Sequence, residues 1–220
     1  MWSAVPIALV ALAGCDHSNK NATATSTTKK ATAHKIVSTT AALSGPTSTK
    51  CTPPSTTTGA NGGTDYSPPG DIPDNQSFIT YAGAGFKVDV PEGWARSEVN
   101  GEVNFTDKLN TVNVRVLSVP ASPTIASVTK SEVPQLSKSI ACVGEVKVST
   151  LDRTAGSAIL LTYQTDAPLD PVTGKIVRDD VERYEFWQNG KEAVITLSGA
   201  AGSDNVDPWK RVTDSFAWTK

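Results

Sequence analysis

Tyr184-Glu185-Phe186-Trp187-Gln188-Asn189-Gly190-Lys191-Glu192-Ala193-Val194-Ile195-Thr196-Leu197 reads as a β-hairpin. Its arms are rich in aromatic and β-branched residues, and Asn-Gly is the pair that best tolerates positive φ at both central positions of a type I′ turn. Working outward, a second such pair, Asn100-Gly101, separates Trp94 to Val99 from Glu102 to Thr106 and predicts another hairpin. Phe86-Lys87-Val88-Asp89-Val90 alternates apolar with charged residues, the period of a strand with one wet face, and Pro91-Glu92-Gly93 stops it. Val112, Val114 and Val116 repeat that period. Further strands are expected at Val143 to Asp152, at Ala158 to Thr165 and at Ile176 to Trp187, the last after a turn-rich segment from Asp166 to Gly174.

The period changes between Ala121 and Ala141. Ile125, Val128, Val133, Leu136 and Ile140 form a helical stripe that Pro134 is expected to interrupt or start afresh, with Ser131 as N-cap of the second half. A closing helix is expected with Asp207 as its cap and Pro208 in its first turn; Trp209, Val212 and Phe216 recur on one face. About six to seven mostly antiparallel strands covered by a mid-chain and a terminal helix make an α+β fold.

The N-terminal third has a different character. Ala4 to Ala13 is an apolar run of signal-peptide length, and Leu12-Ala13-Gly14-Cys15 resembles the bacterial lipobox. That resemblance implies cleavage before Cys15 and its acylation by two chains, enough for stable anchoring where one chain is marginal. Residues 1 to 3 carry no Lys or Arg, although such a leader is normally basic there, so translation is expected to start a few residues upstream. From Asp16 to Asn75 the chain turns to Ser, Thr, Ala, Pro and Gly, with runs such as Thr23-Ala24-Thr25-Ser26-Thr27-Thr28. So few apolar groups cannot offset an ordering cost of roughly 1–2 kcal/mol per residue, and a disordered tether is expected. Three regions follow: 1–15 as lipoprotein signal, 16–75 as tether and 76–220 as globular domain.

Composition excludes several functions. A formal net charge of -2 over 220 residues, with fifteen basic against eighteen acidic residues from Gln76 onward, is not the basic footprint of a nucleic-acid binder. No apolar run approaches the roughly 20 residues needed to span a bilayer. Both histidines, His17 and His34, precede the domain, which removes Ser-His-Asp and Cys-His catalysis and histidine-ligated zinc from it. With Cys15 assigned to lipid, Cys51 and Cys142 remain as an even pair outside the cytoplasm; a disulfide follows, the alternative being two free or separately capped thiols.

Gly85-Phe86-Lys87-Val88-Asp89-Val90-Pro91-Glu92-Gly93-Trp94, the central helix, the Asn189-Gly190 hairpin and the closing Asp214-Ser215-Phe216 helix resemble the PsbP-like α/β/α sandwich. With the lipobox and Thr-rich tether, the chain is similar to actinobacterial lipoproteins of the LpqN and LpqT type. The resemblance implies an accessory or binding subunit and carries over no catalytic residue.

Motifs for chemistry are missing. Gly174-Lys175 and Gly190-Lys191 lack the rest of a phosphate loop, Gly83-Ala84-Gly85 precedes a strand rather than joining a strand to a helix, and no Gly-x-Ser-x-Gly occurs. Asp166, Asp170, Asp179, Asp180 and Glu182 surround one hairpin loop without the spacing of a calcium loop. No metal or other cofactor is expected. Trp94, Trp187 and Trp209 are candidate binding aromatics against the plainer reading of core packing; if the terminal helix stands off the sheet, Trp187, Trp209 and Phe216 line a groove. The expectation is a non-enzymatic module outside the cytoplasmic membrane, anchored by lipid and binding another envelope protein. Carriage of a hydrophobic small molecule or envelope lipid is the alternative. A carboxylate-based hydrolase, needing two facing acids in a cleft, is third.

Overall fold

The computed structural model describes Cys51 together with residues 70–170 and 174–220. The expected signal and lipidation site at Cys15, and the tether up to residue 69 apart from Cys51, lie outside the described residues. Chain order among the described residues is β1 (Phe78–Gly83), β2 (Phe86–Pro91), β3 (Ala95–Val99), β4 (Glu102–Asp107), β5 (Asn110–Ser118), α1 (Ile125–Ser139), β6 (Gly144–Arg153), β7 (Gly156–Asp166), β8 (Arg178–Gln188), β9 (Lys191–Ala200), α2 (Val206–Ser215) and β10 (Ala217–Trp218). Seven strands form an antiparallel sheet in the order β3-β4-β5-β9-β8-β7-β6, and β1-β2-β10 form a small second sheet. The fold is α+β. Both Asn-Gly pairs turn as expected, with φ of 53° and 79° at Asn100 and Gly101 and of 51° and 80° at Asn189 and Gly190.

Strand alternation splits the large sheet's side chains into two faces. One face sends Phe105, Val112, Val114, Tyr184, Phe186, Ile195 and Leu197 against Phe86, Val88 and Val90 of β2 and Trp209, Val212 and Phe216 at α2. The other sends Ile159, Leu161, Tyr163 and Val181 against Val128 and Leu136 of α1. The apolar stripe of α1 packs on β6, β7 and β8, and on β5 and β9 the same face carries Asn113, Arg115, Glu192 and Thr196.

Several expectations are corrected. The helix α1 is not broken at Pro134 but runs through it, and its cap is Thr124, whose hydroxyl accepts from Ser127 N–H while Ser127 Oγ accepts from Thr124 N–H. Pro134 is exposed, so its ring points away from the sheet while Val128 and Leu136 hold the apolar side down. Asn205, not Asp207, stands at the start of α2; Asp207 occupies the first turn, where an acid suits the helix dipole. Strands β1 and β10 were not expected. The packed region also begins before residue 76: Ile72 is buried, and its N–H donates to Asn205 Oδ1 at 2.8 Å. Asn110 and Asn205 both donate to Gly70 carbonyl, so two buried amides hold this segment against the sheet. Cys51 and Cys142 are joined by a disulfide with their Cα atoms 5.4 Å apart.

Candidate functional site

Among the described residues, a groove of about 510 Å³ lies between β6-β7-β8 and the start of α2. Strand register builds its floor in two rows. Lys147, Thr162 and Glu182 are cross-strand partners, as are Gln164 and Asp180 one step along. Glu145, in the register shift of β6, adds a third acid, and Trp209 with exposed Val206 makes the α2 wall. The acids are positioned rather than loose. Asp180 accepts from Gln164 Nε2 at 2.8 Å through one oxygen and from Gly202 N–H at 3.0 Å through the other. Glu182 accepts from Tyr184 hydroxyl at 2.6 Å, and Arg153 donates to that same hydroxyl. Burial and the bond to Glu182 push the Tyr184 phenol up to about 12, so it stays a donor at any physiological pH. Glu145, Asp180 and Glu182 against Lys147 give the groove a net negative lining, which favours a cationic partner. Gly199 lets this corner close: a Cβ there would meet Asn110 Oδ1 at 2.6 Å and Asn205 Nδ2 at 2.8 Å.

A cyanobacterial PsbP is similar in architecture. The solution structure of that protein, from Synechocystis, matches over 74% of this chain and 99% of its own, at 18% identity and a TM-score of 0.42. LpqN of Mycobacterium tuberculosis, described as involved in cell envelope biogenesis, matches over 66% of this chain and 91% of its own, at 16% identity and a TM-score of 0.39. A crystal structure from Bacteroides thetaiotaomicron matches at 11% identity and a TM-score of 0.44, and the chain spans 49% of its length. No family model matches the chain, and no curated protein does.

The sequence-derived site residues scatter. Trp209 is 7% exposed and joins the core while forming the groove wall; its indole Nε1 is buried without a hydrogen-bond partner. Trp187 is on the opposite face of the sheet, because β8 alternation places it with Glu185 rather than with Phe186, and its Nε1 donates to Val119 carbonyl at 2.9 Å. A groove shared by Trp187, Trp209 and Phe216 is therefore not formed. Trp94 packs half-buried against the main core. The acidic group also divides: Asp180 and Glu182 face the groove, whereas Asp166 pairs with Arg178 at 3.1 Å. Burial, with Asp180 next to it, pushes the Asp179 carboxyl up to about 6. No helix among the described residues is long and apolar enough to cross a membrane.

One cluster was not anticipated. At the edge of α1, Arg183 of β8 pairs with Glu132 at 2.5 Å and with Glu185 Oε1 at 2.9 Å. Glu132, Glu185 and Glu192 offer oxygens within 4.8 Å of one another, a span one hard cation can bridge. Arg183 already brings a positive charge into that span. The Glu185 side chain is 0% exposed, and its charge partner is Arg183, 2.9 Å from Oε1. Burial above all pushes its carboxyl up to about 8; Arg183 opposes the shift, and Glu132 and Glu192 reinforce it. Glu192 is raised too, again mainly by burial. The available signal was a run of charges at every second position of β8, Arg183 and Glu185, on a face that α1 then covers.

Proposed function

We propose that this domain is a non-enzymatic binding module, held at the outer face of the cytoplasmic membrane through acylated Cys15, that takes a basic segment of another cell-envelope protein into the α2 groove. The observation that carries this reading is the fixed acidic floor of Asp180 and Glu182 beside the apolar wall of Trp209 and Val206. A flat, hydrogen-bonded floor with alternating polar side chains suits an extended peptide, whose cationic side chains meet the acids while its apolar ones meet Val206. A few such contacts carry most of the affinity of an interface of this kind.

The test uses an alternating Lys-Val peptide and a Glu-Val control of equal length. The chain should bind the first and not the second, and the affinity should fall as salt rises. Asp180→Asn and Val206→Asp should each weaken capture about tenfold. Equal binding of both peptides would remove the groove from the account. Turnover of an ester, glycoside or peptide that persists in chelator and vanishes on one carboxylate-to-amide change would replace the binding reading with hydrolysis. Fatty-acid labelling that survives Cys15→Ala would remove the anchor.

A further inference from the structure

Strand β3 is an outer strand of the large sheet: among the described residues its neighbour is β4 alone. All five of its residues, Ala95-Arg96-Ser97-Glu98-Val99, are exposed, Val99 to 62%. The other outer strand, β6, is interrupted by a register shift between Gly144 and Lys147, whereas β3 pairs with β4 without a break from Ala95 opposite Thr106 to Val99 opposite Glu102. An unbroken edge is a template for one more strand, and proteins that stay apart blunt it with bulges or proline. Hairpin geometry says which backbone groups are on offer. Across a two-residue turn the flanking residues, here Val99 and Glu102, exchange hydrogen bonds, and the pattern alternates from there. Ala95, Ser97 and Val99 therefore aim N–H and C=O at β4, while Arg96 and Glu98 aim theirs outward. The same two residues carry the charges. Both reach Tyr81 of β1, Arg96 with its guanidinium 5.6 Å from the ring centre and Glu98 with an oxygen 3.5 Å from the hydroxyl, so they share one face of the strand.

We propose that two copies of this chain pair along β3, antiparallel about a dyad at Ser97, and so join two seven-stranded sheets into one. The strand is its own complement in that register. Arg96 stands opposite the partner's Glu98, Glu98 opposite the partner's Arg96, and Ala95 opposite the partner's Val99. The backbone agrees with the charges: Ser97, whose bonding groups serve β4, falls on the dyad as a non-hydrogen-bonded pair, and each Arg96–Glu98 pair is one that exchanges two backbone bonds. Moving the dyad to the next outward residue sets Arg96 against Arg96 or Glu98 against Glu98, and in-register parallel pairing sets like beside like at both. Charge thus selects one register of one orientation. The contact is isologous, so it uses up both edges and closes at a dimer.

The test is sedimentation equilibrium of the full chain in a Cys15→Ala background, which has no acyl chain to drive association. The native edge should give a monomer–dimer equilibrium with a dissociation constant of about 10–100 μM, because so short a contact buries less than the roughly 1,200 Å² of a standard interface. Arg96→Glu and Glu98→Arg should each weaken self-association at least about tenfold, since each sets like charges opposite one another twice. Mixed in equal amounts, the two variants should form a heterodimer at close to the native affinity, and a chain carrying both changes should self-associate again. Loss of folding cannot produce that rescue. The proposal fails if the native chain stays monomeric up to about 1 mM, if the single variants dimerise as the native chain does, or if mixing them restores nothing. It fails too if an alternating Lys-Val or Glu-Val peptide binds in an Arg96- or Glu98-dependent way while the chain stays monomeric, which would give this edge to another protein.

Discussion

Glu185 shows how one side chain sets the pH response of the domain. Its carboxyl is raised from an ordinary 4.5 to about 8 by burial, so between those values the folded chain keeps a proton that the unfolded chain has released. More protons bound when folded means that stability falls as pH rises across that window, by up to about 1.4 kcal/mol per pH unit for one proton, and levels off above it. Asp179, raised to about 6, adds a fall of the same sign that ends earlier. Urea midpoints at pH 5, 7 and 9 should therefore decrease in that order. Glu185→Gln should match the native chain near pH 5 and exceed it at pH 9; a native profile that is flat or rising from pH 6 to 8 would mean that Glu185 is ionised throughout. The local sequence marks a charged stripe, Arg183 and Glu185, but not its burial. Tyr184-Glu185-Phe186-Trp187 alternates as a strand with one wet face does, and only the docking of α1, far away in the chain, dries that face.

Among the elements, α1 departs furthest from its own propensities. Pro134 in its interior removes a backbone donor, yet the helix continues because Val128 and Leu136 are locked into the sheet on either side. Pro134→Ala should restore the missing bond at an exposed site and stabilise the chain by about 1–3 kcal/mol, read as a higher urea midpoint with an unchanged slope. An unchanged or lower midpoint would mean that the proline-shaped backbone is itself required for packing. The hairpins were legible because Asn-Gly turns are local: φ is positive at both positions for reasons contained in two residues. Strand β1 was not, because Phe78-Ile79-Thr80-Tyr81 lacks alternation and leaves Ile79 half exposed. Two-residue β10 exists only because β2 offers it an edge. Asn205 makes no side-chain cap at α2 because its amide serves Ile72, Gly70 and Asn110 instead. The groove followed the same rule. Asp180 and Glu182 belong to the acidic group around the hairpin loop and Trp209 to the candidate aromatics, while the register that puts these two acids on one face, with α2 folded back beside them, is a property of pairing between strands.

At the scale of the molecule, the Cys51–Cys142 bond ties a segment far upstream to the junction of α1 and β6, across a sequence separation of 91. Reduction should lower stability by about 2–5 kcal/mol, since so long a loop strongly restricts the unfolded chain; a thermal transition unmoved by reductant would show that the crosslink constrains nothing. The large sheet itself consists of two meanders, β3-β4-β5 and β6-β7-β8-β9, whose neighbours follow one another along the chain. They meet at a single seam, where β5 pairs with β9 from Thr111 opposite Ser198 to Ser118 opposite Lys191. Each meander can zip through short turns, but the seam must wait for two distant strands to find each other, with the loop-closure cost incurred before any contact rewards it. Refolding speed should therefore be set at that line: Ile195→Val should slow refolding by most of its effect on stability, whereas Val128→Ala under α1 should act mainly by hastening unfolding.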